Sequence, residues 1–186
     1  TPESVFTIPY KMKVADEYFH DHEKHPTQRL TTTGLLAVSS NTGSIQIGQK
    51  LGKDRLYEYL RKFGMGQSTN SKLPGESAGS LLQVKDWSGT SLPTFAFGQG
   101  YSLTAMQTTS VFATIANNGV RVSPSILAGV VDESGKYTQA KENESVRVLS
   151  EQTSQNMRAM MESVVSKNGT APTAAIPGYR IAGKTG

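Results

Sequence analysis

Two short groups of polar residues could carry chemistry, and they stand far apart in the chain. Ser39-Ser40-Asn41 follows an apolar run, and Lys184-Thr185-Gly186 ends the sequence. Hydroxyl, amide and ammonium groups can relay protons and hold polar substrate groups, as an acyl transfer requires. Serine and asparagine also compete with the helical backbone, so a simple helix stop explains the first group equally well. Either group alone is a weak signal, and their order along the chain is more informative.

The elements around these groups are predicted from apolar periodicity and turn residues. Residues 35–38 predict a helix that breaks at residues 39–43, and "YRIAGKTG" predicts a terminal strand. Other predicted elements are a strand at "VFTIP", a helix at "KDRLYEYLRKFG", a helix with a capping box at Thr104, a hairpin at "SILAGVVDESGKYTQA", a strand at "VRVLS" and a helix capped by Ser150. Because strands and helices do not alternate regularly, we expect an α+β fold with helices packed on a mainly antiparallel sheet.

The composition describes one ordinary globular domain. The chain has 186 residues, of which 36% are hydrophobic and 18% charged. Its net charge of +4 is scattered without an extended basic block, which argues against nucleic acid as a partner. The absence of cysteine excludes disulfides and thiolate chemistry. No apolar run approaches the roughly 18 residues of a membrane helix.

Several longer strings give the chain a family resemblance. They are "TTTGLLAVSSNTG", "LRKFGMGQSTNSKLPGESAG", "FAFGQGYSLTAMQ", "FATIANNGVRVSP" and "NGTAPTAAIPGYRIAGKTG". In this order they resemble the transpeptidase domain of class B penicillin-binding proteins, most closely the septal enzymes of cell division. Such proteins carry Ser-x-x-Lys, then Ser-x-Asn, then Lys-Thr-Gly, and the second and third signatures occur here in that order. The resemblance implies a penicillin-binding fold of the β-lactamase and transpeptidase type, here incomplete.

The resemblance implies catalytic roles for Ser39, Asn41 and Lys184. The Ser39 hydroxyl would relay a proton near the leaving-group nitrogen. The Asn41 amide would bind the backbone of the acyl donor, because it can donate and accept hydrogen bonds. The Lys184 ammonium would favour the substrate carboxylate and order the proton network at Ser39.

Substrate-binding roles are implied for the neighbours of this lysine. The Thr185 hydroxyl would bond the terminal carboxylate of the substrate, while Gly183 and Gly186 would let its backbone approach closely. The substrate would then lie along the terminal strand as an added β-strand.

The nucleophile signature is missing from the sequence. No serine is followed three residues later by lysine, and Thr69–Lys72 and Thr138–Lys141, which have a related shape, are predicted in surface turns. We therefore expect residues 1–186 to be a partial transpeptidase domain, without the upstream nucleophile helix and without the strands after Lys-Thr-Gly. Such a piece should be inactive alone, and its exposed sheet edges should favour self-association.

The function implied by the resemblance belongs to the parent protein. It is a serine-type peptidoglycan D,D-transpeptidase that cross-links D-Ala-D-Ala stem peptides during division and is acylated by β-lactams. The alternatives are a D,D-carboxypeptidase, a β-lactamase relative, or a non-catalytic sensor that binds β-lactams or wall peptides. The resemblance also implies an N-terminal transmembrane anchor outside this segment, a location on the outer face of the cytoplasmic membrane, and division-complex membrane proteins as partners. Nothing in the sequence demands a metal or an organic cofactor.

Three further motifs are given architectural interpretations. "HDHEKH", residues 20–25, could be considered for zinc, but a solvated polar loop is the simpler interpretation. Gly98-Gln99-Gly100 lacks the third glycine and the lysine of a phosphate loop, so we expect it to support the cleft. "KLPGESAG" predicts a turn in which Glu76 pairs with a nearby base.

Overall fold

The computed structural model describes residues 1–71, 73–141 and 143–186. In chain order its strands and helices are β1 Val5–Ile8, β2 Lys11–Val14, β3 Glu17–His20, β4 Gln28–Thr31, α1 Thr32–Ala37, α2 Asn41–Leu51, α3 Lys53–Lys62, α4 Ser91–Ala96, α5 Ala105–Ala116, β5 Val120–Val122, β6 Gly129–Val131, β7 Tyr137–Gln139, β8 Ser145–Arg147 and α6 Glu151–Glu162. Short 3-10 helices occupy Val84–Asp86, Ser163–Val165 and Pro172–Ala174. None of the helices in these ranges is long and apolar enough to cross a bilayer.

The chain divides into two compact units. The first comprises Thr1–Tyr57, Leu82–Tyr101 and Gln155–Gly186, and the second comprises Glu58–Leu81 and Ser102–Ser154. Both groups of polar residues singled out in the sequence, at 39–41 and 184–186, belong to the first unit.

The first unit packs helices α1 and α2 against short antiparallel strands. β1 pairs with β4, and β2 pairs with β3. Alternate residues of β1 face inward, so that Phe6 and Ile8 are buried with Leu35 of α1. Leu30 and Ile47 pack around these three side chains. This small core fixes the end of α1 and the start of α2, where the Ser-Ser-Asn group lies.

The second unit is built from α5 and two antiparallel strand pairs. β5 pairs with β8, and β6 forms a hairpin with β7. The predicted capping box is confirmed: the Thr104 hydroxyl accepts a bond from the Gln107 amide, and the Gln107 side chain accepts from the Thr104 N–H. The buried Gln107 also donates to the carbonyls of Gln67 and Ala78. One side chain therefore joins the start of α5 to the preceding loop.

The α+β prediction with antiparallel pairing is confirmed, and one predicted strand is wrong. In the described residues the sheet consists of two-stranded pieces rather than one continuous layer. "YRIAGKTG" is not a strand, because a strand needs a neighbouring ladder and residues 181–186 pair with none. The Gly183 N–H instead donates to the Met161 carbonyl, at 3.3 Å.

Candidate active site

The break between α1 and α2 is a tight backbone turn centred on Ser39. This residue has a φ of +56°, in the left-handed region that glycine usually occupies. The Ser39 N–H donates to the Leu36 carbonyl and the Ser40 N–H to the Leu35 carbonyl. These two bonds form a Schellman motif, with serine in the place of the usual glycine. The break is shorter than the predicted 39–43, because α2 already begins at Asn41.

Ser40 is a structural residue that starts α2. Its hydroxyl accepts a bond from the Gly43 N–H at 2.9 Å and donates to Asp21 Oδ2 at 2.8 Å. The Thr42 N–H donates to the other oxygen of the same carboxylate, at 2.8 Å. Ser40 is 2% exposed, so the middle residue of the Ser-Ser-Asn group points away from the cleft. Its neighbours on either side line the cleft.

Asp21 is the carboxylate that holds the start of α2 in place, a role that its sequence context does not predict. It lies in "HDHEKH", for which the sequence predicts a solvated loop, yet it is only 6% exposed. The prediction holds for His22, Glu23 and Lys24, which are exposed. It fails for Asp21, because two donors of the Ser40–Thr42 segment and His25 Nε2, at 3.0 Å, satisfy the buried carboxylate. A negative charge at a helix N-terminus is also favoured by the helix dipole. Across the described ranges, no three His, Asp or Glu residues are grouped closely enough to hold a metal ion.

His25 is held on both sides of its ring. Nδ1 lies 2.8 Å from the Pro26 carbonyl, and Nε2 lies 3.0 Å from Asp21. Both partners are acceptors, so the doubly protonated imidazolium satisfies this geometry best. The bond to the Pro26 carbonyl and the ion pair with Asp21 raise the pKa of His25 above its ordinary value.

Asn41, at the first turn of α2, is oriented by β3. Its side-chain nitrogen donates to the His20 carbonyl at 3.0 Å. Asparagine carries two N–H donors and one carbonyl acceptor, so this bond leaves part of the amide able to bind another group. The residue lines the same cavity as Ser39.

Lys184 forms a hydrogen bond with Ser39, although the two residues are far apart in the sequence. Its Nζ donates to Ser39 Oγ at 2.6 Å, although 145 positions separate the two residues, and to the Thr185 carbonyl at 2.7 Å. Partial desolvation at the cleft wall lowers the pKa of Lys184. These bonds use two of the three N–H donors of the ammonium. The third N–H of the ammonium has no partner among the described residues, so it is available to a ligand.

Thr185 contacts Thr170, for which the sequence predicts no role. Its hydroxyl lies 2.8 Å from the hydroxyl of Thr170. A Cβ placed on Gly183 or Gly186 would meet no atom of the described chain within 4 Å. Packing does not require glycine at these two positions, and the space beside them is open to a ligand. Gly186 lines the cavity, whereas Gly183 is not among the lining residues.

All the candidate residues except Gly183 line one cavity of about 920 Å³ in the first unit. One side is formed by the turn at Ser39 and Asn41, and another by Lys184–Gly186. The segment 168–170 and the loop 97–99 complete the lining together with the polar segment 21–25. Gly98 and Gln99 thus lie at the wall of the cleft.

Glu76, in the second unit, is bonded by its neighbours, and no base among the described residues forms an ion pair with it. One carboxylate oxygen accepts from the Thr69 N–H at 2.6 Å and from the Thr69 hydroxyl at 2.5 Å. Ser68 and Ser71 donate to the other oxygen. These bonds, chiefly those of Thr69, lower the pKa of Glu76 to about 2. Thr69 and Ser71 are buried, so this stretch is not a surface turn, and Lys72 lies outside the described residues.

Comparison with known proteins gives the family. The model of the penicillin binding protein transpeptidase domain matches residues 1–186. The penicillin-binding protein PbpB of Mycobacterium tuberculosis is 41% identical over 192 residues, which cover 100% of this chain and 28% of that protein. Peptidoglycan D,D-transpeptidase FtsI of Escherichia coli is 35% identical over 183 residues, covering 97% of this chain and 28% of that protein. The chain therefore spans less than a third of the length of these relatives.

Solved structures agree with this result. The crystal structure of penicillin-binding protein 3 from Mycobacterium tuberculosis, complexed with aztreonam, superposes with a TM-score of 0.96 at 40% identity. The alignment covers 99% of this chain and 42% of that one. The resemblance seen in the sequence is thus confirmed, and the chain belongs to the transpeptidase-domain family of class B penicillin-binding proteins, with peptidoglycan D,D-transpeptidases among its relatives.

Proposed function

We propose that the protein carrying this chain is a serine-type peptidoglycan D,D-transpeptidase that cross-links D-Ala-D-Ala stem peptides during division and is acylated by β-lactams. The observation that carries the proposal is the contact of Lys184 with Ser39 on a cleft that Asn41 also lines. Relatives named D,D-transpeptidases, and a relative solved with aztreonam, support the same activity.

The chain supplies the groups that would hold the acyl donor. The terminal carboxylate would be bound by the Thr185 hydroxyl and by the remaining N–H of the Lys184 ammonium. The amide of Asn41 would bond the peptide backbone of the donor. A Cβ on Gly186 would meet no described atom within 4 Å, so the backbone at this position is accessible to a ligand.

The bond between Lys184 and Ser39 gives a route for one proton. A serine oxygen would attack the carbonyl of the penultimate D-Ala, and the bond from that carbonyl to the nitrogen of the terminal D-Ala would break. The leaving nitrogen would take its proton from the Ser39 hydroxyl, which the nearby ammonium holds in place. The proton given up by the nucleophile would restore that hydroxyl. In the second half-reaction an amine of another stem peptide would take the acyl group and release the serine.

The attacking serine is not part of this sequence. No Ser-x-x-Lys motif occurs in residues 1–186, so in this proposal the nucleophile comes from the parent protein beyond the chain. Loss of the nucleophile from a serine enzyme lowers turnover on the order of a millionfold. The isolated chain should therefore form no covalent adduct with a β-lactam.

Membership of this family also supports a proposed cellular setting. We place the active site on the outer face of the cytoplasmic membrane, with the parent anchored by a transmembrane helix outside this segment. Membrane proteins of the division complex would be its partners. Fractionation of cells and labelling of the parent from the outer side with a membrane-impermeant fluorescent penicillin would test this location.

Fluorescent penicillin labelling of the parent protein tests the proposed activity. Wild-type protein should give a band that survives boiling in detergent, whereas Lys184→Ala should be acylated about 10²–10³-fold more slowly, as expected for loss of one electrostatic group. Lys85→Ala, at an exposed lysine outside the cleft, is the matched control and should label normally.

Product analysis distinguishes a transpeptidase from a carboxypeptidase. A transpeptidase should give cross-linked peptides when donor and acceptor stem peptides are supplied together. Release of D-Ala without any cross-link would indicate a carboxypeptidase. An unlabelled wild-type protein would contradict the proposal and indicate a non-catalytic member of the family.

A further inference from the structure

We propose that Thr170 is a positioning residue for Thr185, and that it turns the Thr185 proton toward the carboxylate of a bound acyl donor. The inference rests on the proposed function and adds a residue to it. Thr170 lies outside the Ser-x-Asn and Lys-Thr-Gly signatures, and the contact between the two threonine hydroxyls links it to the second of them.

The polarity of this contact decides what Thr185 can do. A hydroxyl has one proton to donate and two lone pairs that accept. When Thr170 donates across the 2.8 Å gap, the Thr185 proton is free to bond a carboxylate in the cleft. In the reverse polarity Thr185 would present only lone pairs to a negatively charged group, which is repulsive. A bound carboxylate therefore selects the arrangement in which Thr170 is the donor.

Thr185 is constrained from its other side as well. The Lys184 ammonium donates to the Thr185 carbonyl at 2.7 Å, so its backbone oxygen and its side-chain hydroxyl both have partners. With both groups held, the direction in which the Thr185 hydroxyl points its proton is the freedom that remains to this residue. Fixing that proton before the substrate arrives lowers the entropic cost of binding.

Backbone hydrogen bonds and close packing hold the segment that carries Thr170 in place. The Thr170 N–H donates at 3.1 Å to the carbonyl of Ala37, the last residue of α1. The next residue, Ala171, donates at 2.9 Å to the carbonyl of Val164, whose side chain is fully buried. A Cβ on Gly169 would collide with the carbonyl oxygens of Ser163 and Val164, so this turn needs glycine to pack closely.

Thr170 consequently connects both parts of the candidate site. Its backbone holds the end of α1, two residues before Ser39, and its side chain holds Thr185. Removal of only the hydroxyl should leave the first contact intact and disrupt the second. That separation makes the role testable by a substitution that preserves shape.

The test compares Thr170→Val with Thr170→Ser in the full parent protein. Valine keeps the shape and the backbone N–H but cannot donate, so the second-order rate of acylation by labelled penicillin should fall about threefold to tenfold, the effect of losing one hydrogen bond between neutral groups. Serine keeps the hydroxyl and should restore the rate to within about twofold. Thr173→Val is the matched control, because Thr173 is exposed and lies outside the cleft lining.

A neutral ligand distinguishes positioning from packing. An ester of the same labelled penicillin has no free carboxylate, so Thr170→Val should react with it as fast as wild-type protein does. An equal loss with acid and ester would assign Thr170 to packing and overturn the inference, as would a Thr170→Val rate within twofold of wild type. If wild-type protein itself is not acylated, the proposed function fails first. Normal wild-type acylation with an unaffected variant refutes only the role of Thr170.

Discussion

Substitution of Ser39 can separate the role of its backbone from the role of its hydroxyl. Ser39→Gly and Ser39→Ala both remove the oxygen that Lys184 contacts at 2.6 Å. They differ in the backbone, because φ is +56° at this position and only glycine adopts that region without strain. The difference between the two variants therefore measures the conformational cost of a side chain at this turn.

The expected difference follows from two opposing terms. A non-glycine residue in the left-handed region costs about 1–2 kcal/mol. The advantage of the glycine variant is reduced by about 0.5–1 kcal/mol, because glycine loses more backbone entropy on folding than alanine does. Ser39→Gly should therefore be more stable than Ser39→Ala by about 1 kcal/mol, which is about 2–4 °C in Tm for a domain of 150–250 residues.

Urea denaturation of the two variants measures this difference, and Ser44 provides the matched control. Ser44 lies in the right-handed helix α2 and has a hydroxyl bonded to the Ser40 carbonyl. At Ser44 the order should be reversed, with alanine more stable than glycine by about 1 kcal/mol. If Ser39→Ala proves as stable as Ser39→Gly, the backbone argument is wrong.

Activity gives an independent readout of the same pair. If the hydroxyl of Ser39 relays the proton, both variants should lose β-lactam acylation by the same factor, whatever their stability. An active Ser39→Gly beside an inactive Ser39→Ala would refute the relay role and leave turn geometry as the requirement. The outcome thus tests the chemistry and the fold separately.

Three further predictions concern buried or strongly bonded side chains. Asp21→Asn should lower the free energy of unfolding by about 2–3 kcal/mol in urea titrations, because buried donors lose their charged acceptor. The pKa of His25 is raised, so its stabilisation is complete below the unfolded value of 6.5 and is lost as pH rises through the higher folded pKa; His25→Gln should therefore flatten the fall of Tm above pH 6.5. The pKa of Glu76 is lowered to about 2 from 4.5, so its stabilisation is present above pH 4.5 and is lost as pH falls toward 2. Glu76→Gln should remove that acid dependence, as followed by circular dichroism.

Local signals in the sequence predicted most of the helices and the hairpin. The capping box at Thr104 predicts the start of α5, and Ser150 accepts a bond from the Thr153 N–H at the start of α6. The hairpin of β6 and β7 follows from alternating residues around a polar turn. Each of these features depends on residues within a few positions of one another, which is why the sequence was sufficient to predict them.

Features that depend on distant partners were missed. Asp21 looks like part of a polar loop until the fold brings the start of α2 against it. Thr170 stands in an irregular segment, and its partner Thr185 is 15 positions away. The terminal segment has the residues of a strand but no adjacent ladder, so its pattern alone misled the prediction. Residue type identifies such groups, but only tertiary contacts assign their roles.

The break between α1 and α2 lets the adjacent residues Ser39, Ser40 and Asn41 point in different directions and take different roles. Ser39 is in a left-handed conformation and Ser40 is an extended cap, so the backbone reverses its course between them. Consequently the Ser40 hydroxyl is buried on Asp21, while the Ser39 hydroxyl reaches Lys184 and Asn41 is held by the His20 carbonyl. On a continuous helix successive side chains are about 100° apart, so Ser39 and Asn41 would point about 160° away from each other and could not both line one cleft. The helix break is thus a requirement of the site, and the strain at Ser39 is the cost of placing its hydroxyl beside the lysine.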